Sequence, residues 1–277
     1  MARSGLLTPR THRSRWTRTG LALAATAVLA AVPFLTAATS AGSQYVALGD
    51  SYSSGLGAGS YGSSGSCYRS ANAYPQLWAN AHPSESFAFV ACAGATTTDV
   101  ISSQLSALGP GTSLVSITIG GNDVGFATVM ETCVLGSTSD CVNAVDHAEY
   151  LAKTQLPGKL STLFTDIRSD APNAKVVVLG YPDFYDLSRS QYCIGLSTTD
   201  RTDLNNGANV LDSVISTAAG RAGFHYADVR SAFSGHEICD WNSWLHSVDW
   251  TFLEASYHPT GSGQADAYYP VFASAAG

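Results

Sequence analysis

No aspartate or glutamate occurs in the first 41 residues of this 277-residue chain, whereas the remainder holds all 21 of them. The acid-free stretch carries Arg3, Arg10, Arg13, Arg15 and Arg18, then an apolar run from Gly20 to Val32, then small residues through Ala41. A basic segment, a short apolar core and a small-residue end are the order of a secretory signal peptide, and Thr39-Ser40-Ala41 offers the cleavage site. The apolar run falls short of the roughly 20 residues a membrane span needs, and no later run is longer, which excludes a stable membrane anchor. A secreted, extracellular and monomeric product is expected.

Basic residues are also scarce beyond the leader. Nine Lys and Arg stand against 21 Asp and Glu, a net charge of −12 for residues 42–277. An acidic, charge-poor surface excludes nucleic acid as a partner. No Pro-rich or charged linker interrupts residues 42–277, so they are expected to form a single domain. C-x-x-C and H-E-x-x-H spacings are missing, so neither a metal nor another cofactor is expected. What the chain does hold is six cysteines, all after the leader: Cys67, Cys92, Cys133, Cys141, Cys193 and Cys239. An even number in an exported protein points to disulfides, with many pairings open. Cys133 and Cys141 suit a short closed loop, and Cys67–Cys92 with Cys193–Cys239 is the simplest completion.

Apolar runs rich in β-formers recur at residues 45–49, 87–91, 114–119, 176–180 and 224–227. Runs apolar on consecutive positions suit strands buried on both faces. Helix-length periodicity occupies residues 73–81, 98–105, 145–169 and 202–222, with a final helix over 264–273. Strand alternating with helix predicts an α/β fold with a parallel sheet covered on both faces. In such sheets chemistry gathers beyond the carboxyl ends of the strands.

Three turns there are unusual. Gly49-Asp50-Ser51-Tyr52-Ser53-Ser54-Gly55 follows the first strand, where a serine at a helix start can present its hydroxyl while its own N–H faces a developing anion. Gly94, in Ala93-Gly94-Ala95 after the second strand, can bring a backbone N–H close to a substrate oxygen because no side chain obstructs the approach. Gly120-Gly121-Asn122-Asp123 follows the third strand and can project the Asn122 amide into the same space. Three converging neutral donors make an oxyanion hole for acyl transfer. The plainer alternatives are ordinary Ser/Gly turns, and Asp123 as an Asx-type cap. Near the other end of the chain, His258 in Ser256-Tyr257-His258-Pro259-Thr260 lies at a loop-to-helix boundary and can serve Ser51 as base. His82, His147, His225, His236 and His246 lack that company.

These four blocks, in this order, resemble the GDSL or SGNH hydrolases, over essentially the whole of residues 42–277 and in particular their secreted bacterial lipases, phospholipases and esterases. The resemblance implies a three-layer flavodoxin-like sheet of about five strands and hydrolysis of acyl-lipid esters through an acyl-Ser51 intermediate. It also implies His258 as base, with Ser51, Gly94 and Asn122 as oxyanion donors. The substrate is then a small-molecule or lipid ester. Phospholipase A and carbohydrate acetyl esterase are the alternatives within the family.

Two positions depart from the family pattern. Tyr52 stands where leucine is usual and is expected to pack behind the nucleophile without altering the chemistry. Ala255 stands three residues before the histidine, where the family commonly places aspartate. The histidine still needs an orienting group. The expected one is the backbone carbonyl of Ser256, with the Glu254 carboxylate, one position out of place, as the less favoured choice.

Two unrelated functions compete. A chymotrypsin-like protease is excluded by chain order, since Ser51 precedes every candidate histidine. A secreted carbohydrate-binding module would suit Tyr61, Tyr68, Tyr74, Trp241, Trp244, Trp250 and Tyr257, but has no use for Ser51 and His258 together. Residues 55–65 and 231–249 are expected to border the cleft.

Overall fold

Five short strands carry the architecture of the computed structural model, which describes residues 44–277. The expected signal peptide, residues 1–41, lies outside the described residues. The strands are β1 (Tyr45–Gly49), β2 (Phe87–Phe89), β3 (Leu114–Thr118), β4 (Lys175–Leu179) and β5 (His225–Ala227). All pair in parallel, in the order β2-β1-β3-β4-β5. Every residue of β1 and β3 is buried, as expected of strands covered on both faces. From β1 the chain steps outward to β2 and then returns past β1 to β3, so the strand order reverses between β1 and β3. That reversal opens the crevice in which α/β sheets hold their ligands.

Helices α1 (Ser51–Ser54) and α2 (Tyr74–Ala81) follow β1, and α3 (Thr97–Ser103) follows β2. After β3 come α4 (Phe126–Leu135), α5 (Thr138–Thr154) and α6 (Leu156–Asp170); α7 (Thr198–Arg221) joins β4 to β5. Beyond β5 lie the one-turn α8 (Arg230–Phe233), a π-helical turn at Gly263–Tyr268 and α9 (Tyr269–Ala276). Aromatic rings knit the sheet to α2 and α9. Tyr45 stacks on Phe87 at 4.9 Å and on Phe272 at 5.6 Å, and its hydroxyl is hydrogen-bonded to Ser116 at 2.8 Å. Leu160, Leu163, Phe164 and Ile167 bury one side of α6, each contributing about 1.5–3 kcal/mol of apolar burial.

One expected helix is two. Residues 145–169 divide at Gln155, between α5 and α6. Pro157 has no N–H for the carbonyl four residues back and its ring would strike it, so a helix can only begin there. Helix α5 starts before residue 145 because Ser137 and Asp140 form a reciprocal capping box. Helix α4 is not anticipated by the sequence reading. Among the described residues no helix is long and apolar enough to cross a membrane.

Candidate active site

Ser51 is the first residue of α1, a four-residue helix pinned at both ends. Gly49 has φ +121°, and a Cβ there would lie 2.5 Å from the Thr118 carbonyl oxygen, so the sharp exit from β1 requires glycine. Buried Gln104 brackets the same residue, accepting from the Gly49 N–H at 2.8 Å and donating to its carbonyl at 2.9 Å. Asp50 caps α1 by accepting from the Tyr52 N–H at 3.0 Å, and it also accepts from the Thr118 hydroxyl at 2.7 Å and the Tyr181 hydroxyl. Burial pushes the Asp50 carboxyl up to about 6, against the pull of those hydrogen bonds.

The Ser51 hydroxyl is 2.7 Å from His258 Nε2, although 207 positions separate the two residues. His258 Nδ1 lies 3.0 Å from the Ser256 carbonyl oxygen, which makes Nδ1 the protonated nitrogen and leaves Nε2 free to accept. Both side chains are buried, and the loss of hydration lowers the imidazole pKa to about 4. The Ser256 carbonyl favours the cation, and nearby His246 opposes it. The Glu254 side chain is exposed and has no hydrogen-bond or ion-pair partner among the described residues.

Gly94 has φ +79° and sits exposed at the turn after β2, where no described acceptor takes its N–H. The turn is anchored by the Cys67–Cys92 disulfide. Asn122 opens a 3-10 turn, Asn122–Val124, and donates one amide hydrogen to the Ala95 carbonyl at 3.0 Å; the other remains available. Asp123 does not cap its own turn. Its carboxylate crosses to α3, accepting from the Thr97 N–H at 2.9 Å and the Thr97 hydroxyl at 2.8 Å, and so ties the Asn122 turn to the Gly94 turn. As the first residue of α1, Ser51 also has an N–H without an intrahelical acceptor.

A cavity of about 610 Å³ is lined by Ser51, Gly94, Asn122 and His258 together. Phe126, Met130 and Val134, one i, i+4 face of α4, form one apolar wall, and Val248, Trp250 and Leu253 form another. A smaller pocket of about 60 Å³ shares Ser51, Asn122 and Phe126 with it.

A profile of the GDSL-like lipase/acylhydrolase family matches residues 47–265. The chain belongs to this family. It is a carboxylic ester hydrolase. Lipase 1 of Streptomyces coelicolor is 52% identical over 92% of this chain and 96% of its own length. The crystal structure of phospholipase A1 from Streptomyces albidoflavus NA297 superposes with a TM-score of 0.81 at 53% identity, covering 84% of this chain and 99% of that one. The extracellular lipase of Streptomyces rimosus gives the same TM-score at 50% identity, covering 83% and 98%.

In this GDSL-like hydrolase the other expectations fare unevenly. The structure bonds Cys67 to Cys92, Cys133 to Cys141 and Cys193 to Cys239. Of the aromatics that would suit a binding module, Tyr68, Trp250 and Tyr257 reach the cavity, while Tyr74 is core and Trp244 stacks on His236. The segments expected to border the cleft contribute only Leu56 and Val248; Tyr68, Trp250, Leu253 and Glu254 supply more of it. Helix α4, the largest apolar wall, is missed, although its four-residue spacing is the signal that could have found it. Tyr181, Thr118 and Gln104, which fix Asp50 and Gly49, carry no local signal at all.

Proposed function

We propose that this hydrolase is an exported lipase that cleaves acyl-lipid esters through a covalent acyl-Ser51 intermediate. His258 Nε2 takes the Ser51 proton as Oγ attacks the ester carbonyl carbon. The negative charge on the former carbonyl oxygen is met by the N–H groups of Ser51 and Gly94 and the Asn122 side-chain amide. Collapse of this intermediate expels the alcohol, which receives the Nε2 proton, and leaves the acyl group on Ser51. Water, deprotonated by His258, then attacks the acyl carbon; the acyl–Oγ bond breaks, Ser51 Oγ takes back the Nε2 proton, and the carboxylic acid leaves. Throughout, the imidazolium keeps its Nδ1–H on the Ser256 carbonyl, which here takes the place of the triad carboxylate. The observation that carries this reading is the Ser51–His258 contact at 2.7 Å, with Nδ1 satisfied by a main-chain oxygen and no carboxylate.

The apolar walls from α4 and residues 248–253 favour an acyl chain over a carbohydrate acetyl ester. The likeness to the phospholipase A1 of Streptomyces albidoflavus favours a second reading, in which the same cavity takes a glycerophospholipid. Three disulfides, the basic and apolar leader and the likeness to the extracellular lipase of Streptomyces rimosus support a secreted, extracellular protein. A series of nitrophenyl esters from acetyl to decanoyl, run beside phosphatidylcholine above and below its aggregation concentration, tests the substrate class. kcat/KM should rise with chain length. A preference for acetyl, with no rate on phosphatidylcholine, would overturn it, and hydrolysis of phosphatidylcholine would favour the phospholipase.

A further inference from the structure

Tyr52 does more than pack behind Ser51. Its ring lies edge-on to Tyr181 at 4.9 Å and 5.1 Å from the ring of His258. Its hydroxyl donates a 2.6 Å hydrogen bond to the main-chain carbonyl of Tyr257, the residue immediately before His258. Tyr257 has φ +65°, a left-handed conformation that a bulky side chain rarely adopts. The Tyr257 carbonyl belongs to the peptide plane that also holds the His258 N–H, so fixing that oxygen fixes the direction from which the imidazole leaves the chain. The surrounding bonds act on the same turn. The Tyr257 N–H donates to the His246 carbonyl at 3.0 Å, the His246 N–H donates to the His258 carbonyl at 3.0 Å, and the Tyr257 and Tyr185 hydroxyls meet at 3.0 Å.

With alanine at position 255, no carboxylate anchors the ring. Its alignment depends on a neutral carbonyl two residues upstream and therefore on the shape of the turn itself. We infer that Tyr52 is a positioning residue whose hydroxyl holds the 256–258 turn so that His258 presents Nδ1 to the Ser256 carbonyl and Nε2 to Ser51. The inference rests on the reading of Ser51 and His258 as nucleophile and base. It revises the expectation that tyrosine in place of the family's leucine leaves the chemistry untouched. Burial, and behind it the nearby Asp50 charge, keeps the Tyr52 phenol protonated and therefore a donor.

Tyr52→Phe removes only the hydroxyl and keeps the ring, and Tyr52→Leu restores the family residue. Both are compared with wild type in kcat and KM on a soluble short-chain ester, in the rate of fluorophosphonate labelling, and in the proton NMR signal of the His258 Nδ1–H. A misplaced catalytic group can cost up to about 10²-fold. Both variants should therefore lose about 10- to 100-fold in kcat and in labelling rate, with KM within about twofold, and the Nδ1–H signal should move or broaden. A kcat within twofold of wild type in both variants would overturn the inference while leaving the dyad standing. Ser51→Ala is the control: if it still hydrolyses the ester, the reading of the dyad falls and this inference with it.

Discussion

Burial moves His258 and Asp50 in opposite directions. Desolvation disfavours charge, so the imidazole is pulled down to about 4 while the carboxyl of Asp50, the cap of the helix that carries Ser51, is pushed up to about 6. For a base, the lowered value widens the working range. The imidazole is neutral, and able to take the Ser51 proton, at every pH above about 4. As pH falls through that value the proposed base becomes protonated, and the rate is expected to fall. Asp50 behaves differently, because a protonated carboxyl can still accept from the Tyr52 N–H through its other oxygen. A kcat/KM profile on a soluble ester, measured between pH 3 and 8, is therefore expected to show its acid limb near 4. A limb near the ordinary histidine value of about 6.5 would mean that water reaches the imidazole.

The elements are held as much by staples and caps as by their own propensity. Helix α1 is far too short to be stable alone. It exists because Asp50 caps it at one end and Gly55, at φ +82°, ends it at the other. A Cβ on Gly55 would lie 2.6 Å from that of Ala73, so the exit is fixed by packing as well as by backbone. The disulfides close loops of very different length. The separation is 46 residues for Cys193–Cys239 and 8 for Cys133–Cys141. Loop entropy puts the first at about 4 kcal/mol and the second at about 2.5 kcal/mol. Urea unfolding of the paired Cys→Ser variants should reproduce that order, and the reverse order would show that native contacts, not chain entropy, set the contribution of each bridge.

Across the whole molecule, the parts legible in the sequence are those whose signal is local. Consecutive apolar residues mark β1 and β3 because both faces of those strands are covered, and the parallel sheet follows from the helices between them. The turns holding Ser51, Gly94 and Asn122 are legible because glycines and small polar residues are concentrated there, and because parallel strands deliver all three turns to one edge. The edges of helices are less legible: Pro157 divides residues 145–169, a break that the apolar periodicity hides. What is not legible depends on distance along the chain. The Tyr52 hydroxyl finds its acceptor 205 positions away and Asp50 is held by a tyrosine 131 positions away, so neither role leaves a pattern near its own residue. Sequence also does not show that Asp123 would tie two loops together rather than cap its own.

The proposed dyad stands or falls on what orients His258, and steady-state kinetics of Glu254→Ala on a short acyl ester tests this most directly. With the Ser256 carbonyl 3.0 Å from Nδ1 and Glu254 exposed, kcat should stay within about threefold of wild type. A loss approaching the roughly 10⁴-fold seen when an orienting carboxylate is removed from a triad would contradict it and make Glu254 the third member.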